Sequence, residues 1–514
     1  MAEYSVDVKP QLELDIVAES DPNPKTQNGV ILVPQPSQDP EDPLNWTKAR
    51  KLKNLVILCM AGFAGTALDL ANQLAQKEEA QNWDKAVIEV TYTLSASIAG
   101  IAYGPLLINP LAHAFGRTAI IFWCLLFAMA CAIWSASMTG RGNYERFVAS
   151  RLFDGIFGSI PSILGVGSVY EMFFLHERGK AYAAFHVSFL FGTVAGPTFG
   201  GFIVQHTDWP WVFWWVVIAQ GVVLVLAFCF LEDTSYPRDG TAVPSQKPSS
   251  FWANRMATLL PHPTGIGRSE LGRIAWLPFR IGLSLIGLMI GLFQFASFGW
   301  FVATHSLITV WLEKPVTVGG WGFTPQRNAF FIFSLWAGLL TAELWGYLCN
   351  DRIALWVCRT RNKGVWKPEC RLHTLWIPSL VILPIGLGIV GAALQYHLHY
   401  MVLALGAYLI TFASMSSVPA AVTYAIECVA AQPTEVAAFM GAYRLSLGLV
   451  IPFFINQWVA RVGFGWVYGM MAFFSIFAFT FVVGLMGFGE RLRERTLSGL
   501  ASREIGRKII DGSD

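Results

Sequence analysis

Between Asn54 and Gly489 the chain is a succession of apolar runs, most of them close to the length that crosses a bilayer. A spanning helix needs about 20 mostly apolar residues. The runs fall at 54–74, 87–109, 118–138, 146–170, 181–204 and 211–231, and then at 284–311, 327–349, 374–394, 400–424, 436–458 and 466–489. Pro161, Pro197, Pro384 and Pro452 stand inside runs, and membrane helices accommodate such kinks. Only 14% of residues are charged, where a soluble domain carries about 25%. The chain therefore lacks the charged skin of a soluble enzyme, a secreted module or a nucleic-acid binder. The expected fold is an all-α membrane protein of twelve transmembrane helices in two sets of six, with the lipid bilayer as its surroundings.

The polar stretches divide the rest. Residues 1–46 are acidic and proline-rich and read as a disordered cytosolic tail. Residues 47–231 form the first six-helix bundle, 232–283 a cytosolic central loop, 284–490 the second bundle and 491–514 a cytosolic C-terminal tail. In the central loop, Trp252, Met256, Leu259 and Leu260 among basic residues fit an amphipathic helix on the inner leaflet or a solvated linker. With both termini in the cytosol, 27 of the 36 Lys and Arg fall inside and 7 outside, which follows the positive-inside rule. The loop 140–146 is basic though outside, and 427–435 acidic though inside. The sequon Asn45-Trp46-Thr47 is then cytosolic and unused. Eight cysteines without paired or metal-type spacing predict no disulfide framework.

Two sets of six spans invite a search for a repeat. After the second span comes Asn109-Pro-Leu111-Ala-His113-Ala-Phe-Gly116-Arg117, and after the eighth Gly346-Tyr-Leu348-Cys-Asn350-Asp351-Arg352. The fourth span carries Arg151-Leu-Phe-Asp154-Gly155-Ile-Phe-Gly158, with residues 151, 154, 155 and 158 on one helical face. The fifth holds Gly192-Thr-Val-Ala-Gly196-Pro197-Thr-Phe-Gly200-Gly201, whose glycines four apart admit a close neighbour.

These segments resemble the major facilitator superfamily. The paired loops are similar to its Gly-x-Leu-x-Asp-x-x-Gly-Arg signature, with Asn109 in place of the glycine and His113 in place of the acid. The resemblance implies a cytosolic gate built from His113, Gly116, Arg117, Glu343, Gly346, Asp351 and Arg352, to which Arg444 is added as a structural or gate-associated cation. His113 is there either a pH-sensitive partner or a plain loop residue. The fourth span resembles the family's Arg-x-x-x-Gly-x-x-Gly motif, whose arginine is associated with proton coupling. Residues 192–201 resemble the Gly-Pro-x-x-Gly-Gly signature of proton-coupled drug exporters. Asp39-Pro40-Glu41-Asp42-Pro43-Leu44-Asn45-Trp46, Trp209-Pro-Trp211-Val-Phe213-Trp214 and Glu232-Asp-Thr234-Ser-Tyr236 resemble segments of that type's fungal branch.

An ionisable residue inside a span is costly and marks a functional position. Asp69 lies about two-thirds of the way across from the cytosol at about 1.5 Å per residue, and Arg151 and Asp154 lie at a similar depth. In the resembled family the first and fourth helices line the central cavity, which implies that the three form one proton-coupling cluster facing it, unless Asp69 sits at a wetter helix end or Arg151 and Asp154 form a static pair. Gln294, Tyr408, Ser414, Ser417 and Tyr424 are candidates for the substrate cavity. His186 and His305 read as proton relays or as satisfied polar residues.

The sequence thus points to a monomeric secondary transporter exchanging a small organic molecule for protons at a membrane, the plasma membrane rather than the vacuole. The alternatives are a symporter or uniporter importing a nutrient, polyamine or other organic cation, a non-transporting sensor, and an integral membrane enzyme. Against the last, the sequence holds no catalytic constellation, metal cluster or cofactor motif, and the pair His397 and His399 makes weak metal ligands. No cofactor, metal or nucleic-acid partner is expected.

Overall fold

The computed structural model describes residues 26–27, 30–31, 35–235, 250–261, 267–362, 366–429 and 432–496. Among the described residues, twelve helical segments are long and apolar enough to cross a membrane: Lys48–Leu74, Val87–Phe115, Arg117–Ser137, Arg141–Met172, Lys180–Val204 and Trp211–Phe230, then Leu285–Glu313, Pro325–Arg361, Glu369–Gln395, Tyr400–Cys428, Pro433–Val462 and Phe464–Arg493. They are called the first to twelfth spans. Thr26–Gln27 and Val30–Ile31 make a two-residue antiparallel pair before them.

Packing repeats between the halves. The first span packs on the fifth, the second on the fourth and the third on the sixth; the seventh packs on the eleventh, the eighth on the tenth and the ninth on the twelfth. The halves then meet along two seams, second span on eleventh and fifth on eighth. One apolar core crosses the boundary, joining Ile98, Leu190 and Val194 to Phe298 and Phe301. Lipid tails are as apolar as leucine, so these seams depend on close fit and on polar contacts rather than on the hydrophobic effect.

The helices break where the backbone requires it. The first span is α-helical over Lys48–Asp69 and ends in a tighter turn over Ala71–Leu74. The fourth divides at Ser159, ahead of Pro161. The eighth does not stop at Gly346: a wide turn over Gly346–Asn350 leads into a helix over Asp351–Arg361, so the expected short connection is mostly helix.

The tail expectation fails for residues 35–46. Asp42 accepts from the Ser37 and Leu44 amides at 2.9 and 3.0 Å, and Asn45 donates to the carbonyls of Ser37 and Asp39. Trp46 lies under the Arg50 guanidinium, 4.2 Å from ring centre to carbon, and buried Lys51 donates to the Leu44 carbonyl. These local side-chain bonds fix the turn of an acidic, proline-rich segment, and buried Leu44, against Phe174, and Trp46, in the apolar core of the first half, anchor it. Most of residues 1–34, all of 497–514 and parts of the central loop (236–249 and 262–266) lie outside the described residues. Within that loop, Phe251–Leu259 is helical with Phe251, Trp252 and Met256 exposed, and a second helix, Arg268–Gly282, precedes the seventh span.

Candidate functional site

Asp69, Arg151 and Asp154 meet, all fully buried. Helix geometry places Arg151 and Asp154 on one face, and the Arg151 Nη1 donates to Asp154 Oδ2. Its Nη2 donates to the carbonyls of Leu68, at 3.2 Å, and of Asp69. Those carbonyls belong to the last turn of the first helix, where the ordinary i+4 donors run out and the Leu70 amide reaches only the Leu68 carbonyl, so the guanidinium caps that helix and faces the negative end of its dipole. Among the described residues the carboxyl of Asp69 has no hydrogen-bond partner on either oxygen, and Asp154 Oδ1 has none. One cation therefore serves two carboxyls. Phe213 covers the Arg151 guanidinium at 5.2 Å, and Phe213 packs with Phe147 and Trp209. The aromatic segment around Trp209 is thus the lid of the cluster.

The glycine motif holds this site in place. A Cβ on Gly192 would strike Thr66 and Phe63, one on Gly196 the Ala67 carbonyl and one on Gly200 the Ala71 carbonyl. The three glycines bring the fifth span against the backbone of the first, and Thr66 Oγ1 crosses to the Phe189 carbonyl at 2.7 Å. Gly201 faces the other way, against Leu74 and, from the second half, Ala329 and Pro325. Pro197 is accommodated inside a continuous helix.

At the face where both chain ends lie, His113 Nε2 is 2.8 Å from Glu435 Oε1 of the eleventh span, and Asn109 Nδ2 reaches the same oxygen at 3.3 Å. Both departures from the family loop signature therefore point at one carboxylate supplied by the opposite half. Gly116 turns the chain at φ 87°, and Arg117 pairs with Glu171 at 2.8 Å. Gly167 lets that guanidinium pass: a Cβ there would lie 2.9 Å from Arg117 and 3.1 Å from Thr434 across the boundary. His186 is 3.4 Å from Glu343, again from half to half.

The second loop copy differs from expectation. Asp351 pairs with Arg371 at 3.2 Å, and Arg371 with Glu427 at 2.5 Å. Arg371 begins the ninth span and Glu427 ends the tenth, as Arg117 begins the third and Glu171 ends the fourth. Arg371, for which the loop motif gives no signal, is thus the counterpart of Arg117, while Arg352 is exposed and makes no ion pair among the described residues. The wide turn that starts at Gly346 carries Arg352 away from the network.

Arg444 makes none of the ion pairs of the chain-end face among the described residues, though it acts electrostatically on Tyr182, as Glu343 does. It sits eleven residues into the eleventh span, near mid-depth, with its guanidinium 4.8 Å from the Phe298 ring and no carboxylate partner among the described residues. Of the cavity candidates, Gln294 donates to Ser417, and Ser414 donates to the Ser297 carbonyl at 3.0 Å. They form a hydrogen-bonded seam between the seventh and tenth spans. Tyr424 is buried toward the chain-end face and Tyr408 is half-buried. At the opposite face Gln73 Nε2 donates to the His305 carbonyl at 2.8 Å, closing the halves there too. The space between His305, Phe301 and Thr411 is about 10 Å³, room for one water. Polar contacts thus join the halves toward both faces, while a wider space of about 410 Å³ lies between Tyr92 and Tyr144 of the first half and Leu449 and Phe453 of the second.

Two repeated six-helix halves with a buried ion cluster and polar latches between them define a secondary membrane transporter. The sequence profile of the Major Facilitator Superfamily matches residues 54–455, and the chain belongs to that family. An uncharacterised MFS-type transporter of Schizosaccharomyces pombe is 26% identical over 92% of this chain and 89% of its own length. The efflux pump radE of Floropilus chiversii is 25% identical, with 88% and 83% covered. Among solved structures, the proton:xylose symporter XylE shares 15% identity at a TM-score of 0.60, covering 86% of this chain and 96% of that one, a likeness of fold.

Proposed function

We propose that the protein exports a small organic molecule in exchange for protons, by rocking of its two halves, with the chain ends in the cytosol of a cell whose plasma membrane holds it. The observation that carries this reading is the cluster of Asp69, Arg151 and Asp154: one guanidinium against two buried carboxyls, one of them without any partner. Burying an uncompensated carboxylate is costly, and a site with one counter-charge too few is suited to hold one exchangeable proton. Binding that proton frees Arg151 from one of its charges, and the cap on the first helix is then the element that shifts. The glycine contacts from Gly192 to Gly200 transmit that shift to the fifth span, which lies on the seam with the eighth. The similarity to an efflux pump and the sorting of Lys and Arg support the direction and the orientation.

The test is flux in proteoliposomes under an imposed pH gradient, with candidate substrates first found by accumulation in an exporter-deficient cell. An acidic lumen should drive accumulation of the substrate in vesicles that expose the chain ends outward, and Asp154→Asn should abolish the gradient dependence while leaving the protein folded. Uptake in the same direction as the protons would replace export with import by symport. Full pH-dependent activity in the Asp154→Asn protein would overturn the coupling role.

A further inference from the structure

Between the first and second spans, Gln76–Trp83 is a short helix whose residues 76, 79, 80 and 83 are buried. Its sequence, rich in Lys and Glu, has the look of a solvated loop, yet Glu79 is 0% exposed. Glu79 Oε2 accepts from Asn72 Nδ2 at 3.1 Å, and Asn72 also donates to Thr93 Oγ1 at 3.3 Å. Glu79 Oε1 has no partner, nor has the buried Asp69 carboxyl three residues before Asn72. Arg151 of the cluster acts electrostatically on Glu79. On the other side Glu78 is half-buried next to exposed Lys77, at the opposite face from the chain ends. Half-buried Glu78, buried Glu79 beside it and Asp69 in the cluster are thus three carboxyls of the same end of the first span, and Arg151 acts on both Glu79 and Asp69.

We propose that Glu79 is a proton relay between the external solution and the Asp69–Arg151–Asp154 cluster. The proposal rests on the proton-coupling reading of that cluster. The relay moves no electrons: Glu79 accepts a proton from water reached past Glu78, and its protonated carboxyl passes one inward to a carboxylate of the cluster as the next proton arrives. Asn72 holds one oxygen of Glu79 and leaves the other available. The groups that act with its charge are Asn72 of the first span, Arg151 and Tyr144 of the fourth, and Glu78 on its own helix; Arg151 in turn is shared with Asp69 and Asp154. Burial pushes the Glu79 carboxyl up to about 8, against the pull of Asn72 and Arg151, so it exchanges its proton near neutral pH. A relay works best when its affinity lies near the working pH.

The full chain in nanodiscs tests this without a substrate. Infrared titration should show a protonated-carboxyl stretch that disappears with a midpoint near pH 8 and is absent in Glu79→Gln. After a pH jump, proton uptake followed with a water-soluble pH dye should slow about tenfold or more in Glu79→Gln. Glu79→Asp, which keeps the carboxyl, should recover much of the rate, and it serves as the informative variant should Glu79→Gln fold poorly. An unchanged uptake rate in a folded Glu79→Gln protein overturns the relay, whether or not the infrared band is lost. Asp154→Asn separates the two readings: if it leaves the number of protons taken up unchanged, the cluster assignment fails, whereas an effect there with none at Glu79 overturns the relay alone.

Discussion

His113 of the second span and Glu435 of the eleventh lie 2.8 Å apart, and they belong to opposite halves of the molecule. The loop that lacks the family's acid thus obtains a carboxylate from the partner bundle, so the contact opens whenever the halves part at this face. Restoring the acid by His113→Asp sets two carboxylates against each other. It should open the chain-end face and raise the maleimide labelling rate of a cysteine placed at Thr434, which lies beside the same seam. Glu435→Gln should act in the same direction but less. A double-mutant cycle on opening should return about 0.5–3 kcal/mol of coupling, the range for residues in contact. Additive effects would show that the two residues do not hold the face shut.

The glycine stripe makes a prediction that separates packing from mere helix content. A methyl group at Gly196 collides with the Ala67 carbonyl one turn before the cluster, while one at Gly388 meets nothing within 4 Å. Gly196→Ala should cost about 1–3 kcal/mol in stability, as overpacking does, and should lower transport along with it. Gly388→Ala should be neutral or slightly stabilising, since alanine is the better helix former. Melting curves of the two purified variants, with transport measured in parallel, check this. Equal tolerance at both sites would remove the seam between first and fifth spans from the argument.

The spans were legible because a bilayer demands long apolar runs, and Asp69, Arg151 and Asp154 stood out because charge inside such runs is rare. Their common height was readable from helical rise, and their meeting followed from it only with the resembled family's placement of the first and fourth helices around one cavity. Which groups pair across the two halves was not, because Glu435 and Glu343 find His113 and His186 only through the tertiary arrangement. Glu79 escaped notice for a different reason. Its charged surroundings suggest solvent, and only the buried positions at 76, 79, 80 and 83, spaced as one face of a helix, give it away. Arg444 carried no signal of its mid-depth site over Phe298 beyond its place in the run.

The ion pairs Arg117 with Glu171 and Arg371 with Glu427 occupy matching positions in the two halves, which predicts that the cation at 371 matters more for transport than the one at 352. Arg371 holds both Asp351 and Glu427 and is stacked 5.1 Å from Trp366. Arg371→Ala leaves two acids facing each other and should reduce transport tenfold or more. Arg352→Ala removes an exposed cation without an ion pair, and surface substitutions of that kind stay within about 0.5 kcal/mol. Transport rates of the two variants at matched membrane abundance decide it, and a greater loss at Arg352 would return the gate to the motif position.

Glu232, directly after the sixth span, ties that span to the first. Arg50 Nε and Lys53 Nζ donate to its two oxygens at 2.9 and 2.8 Å, and its own amide donates to Asn54 Oδ1 at 2.9 Å. Burial alone pushes the Glu232 carboxyl up, but the hydrogen bonds and charges of Arg50 and Lys53 outweigh it and hold the group below its ordinary value of 4.5. A carboxyl whose folded value is depressed contributes stability that is complete above the unfolded value and is lost as pH falls through the folded one. Glu232→Gln should therefore melt a few degrees lower than the native chain at pH 7, a modest shift because part of the site is reached by solvent. As the buffer is taken below the ordinary carboxylate range, the native protein should lose that advantage and the two melting curves converge. Curves that separate further in acid would mean that the tie depends on some group other than the Glu232 carboxylate.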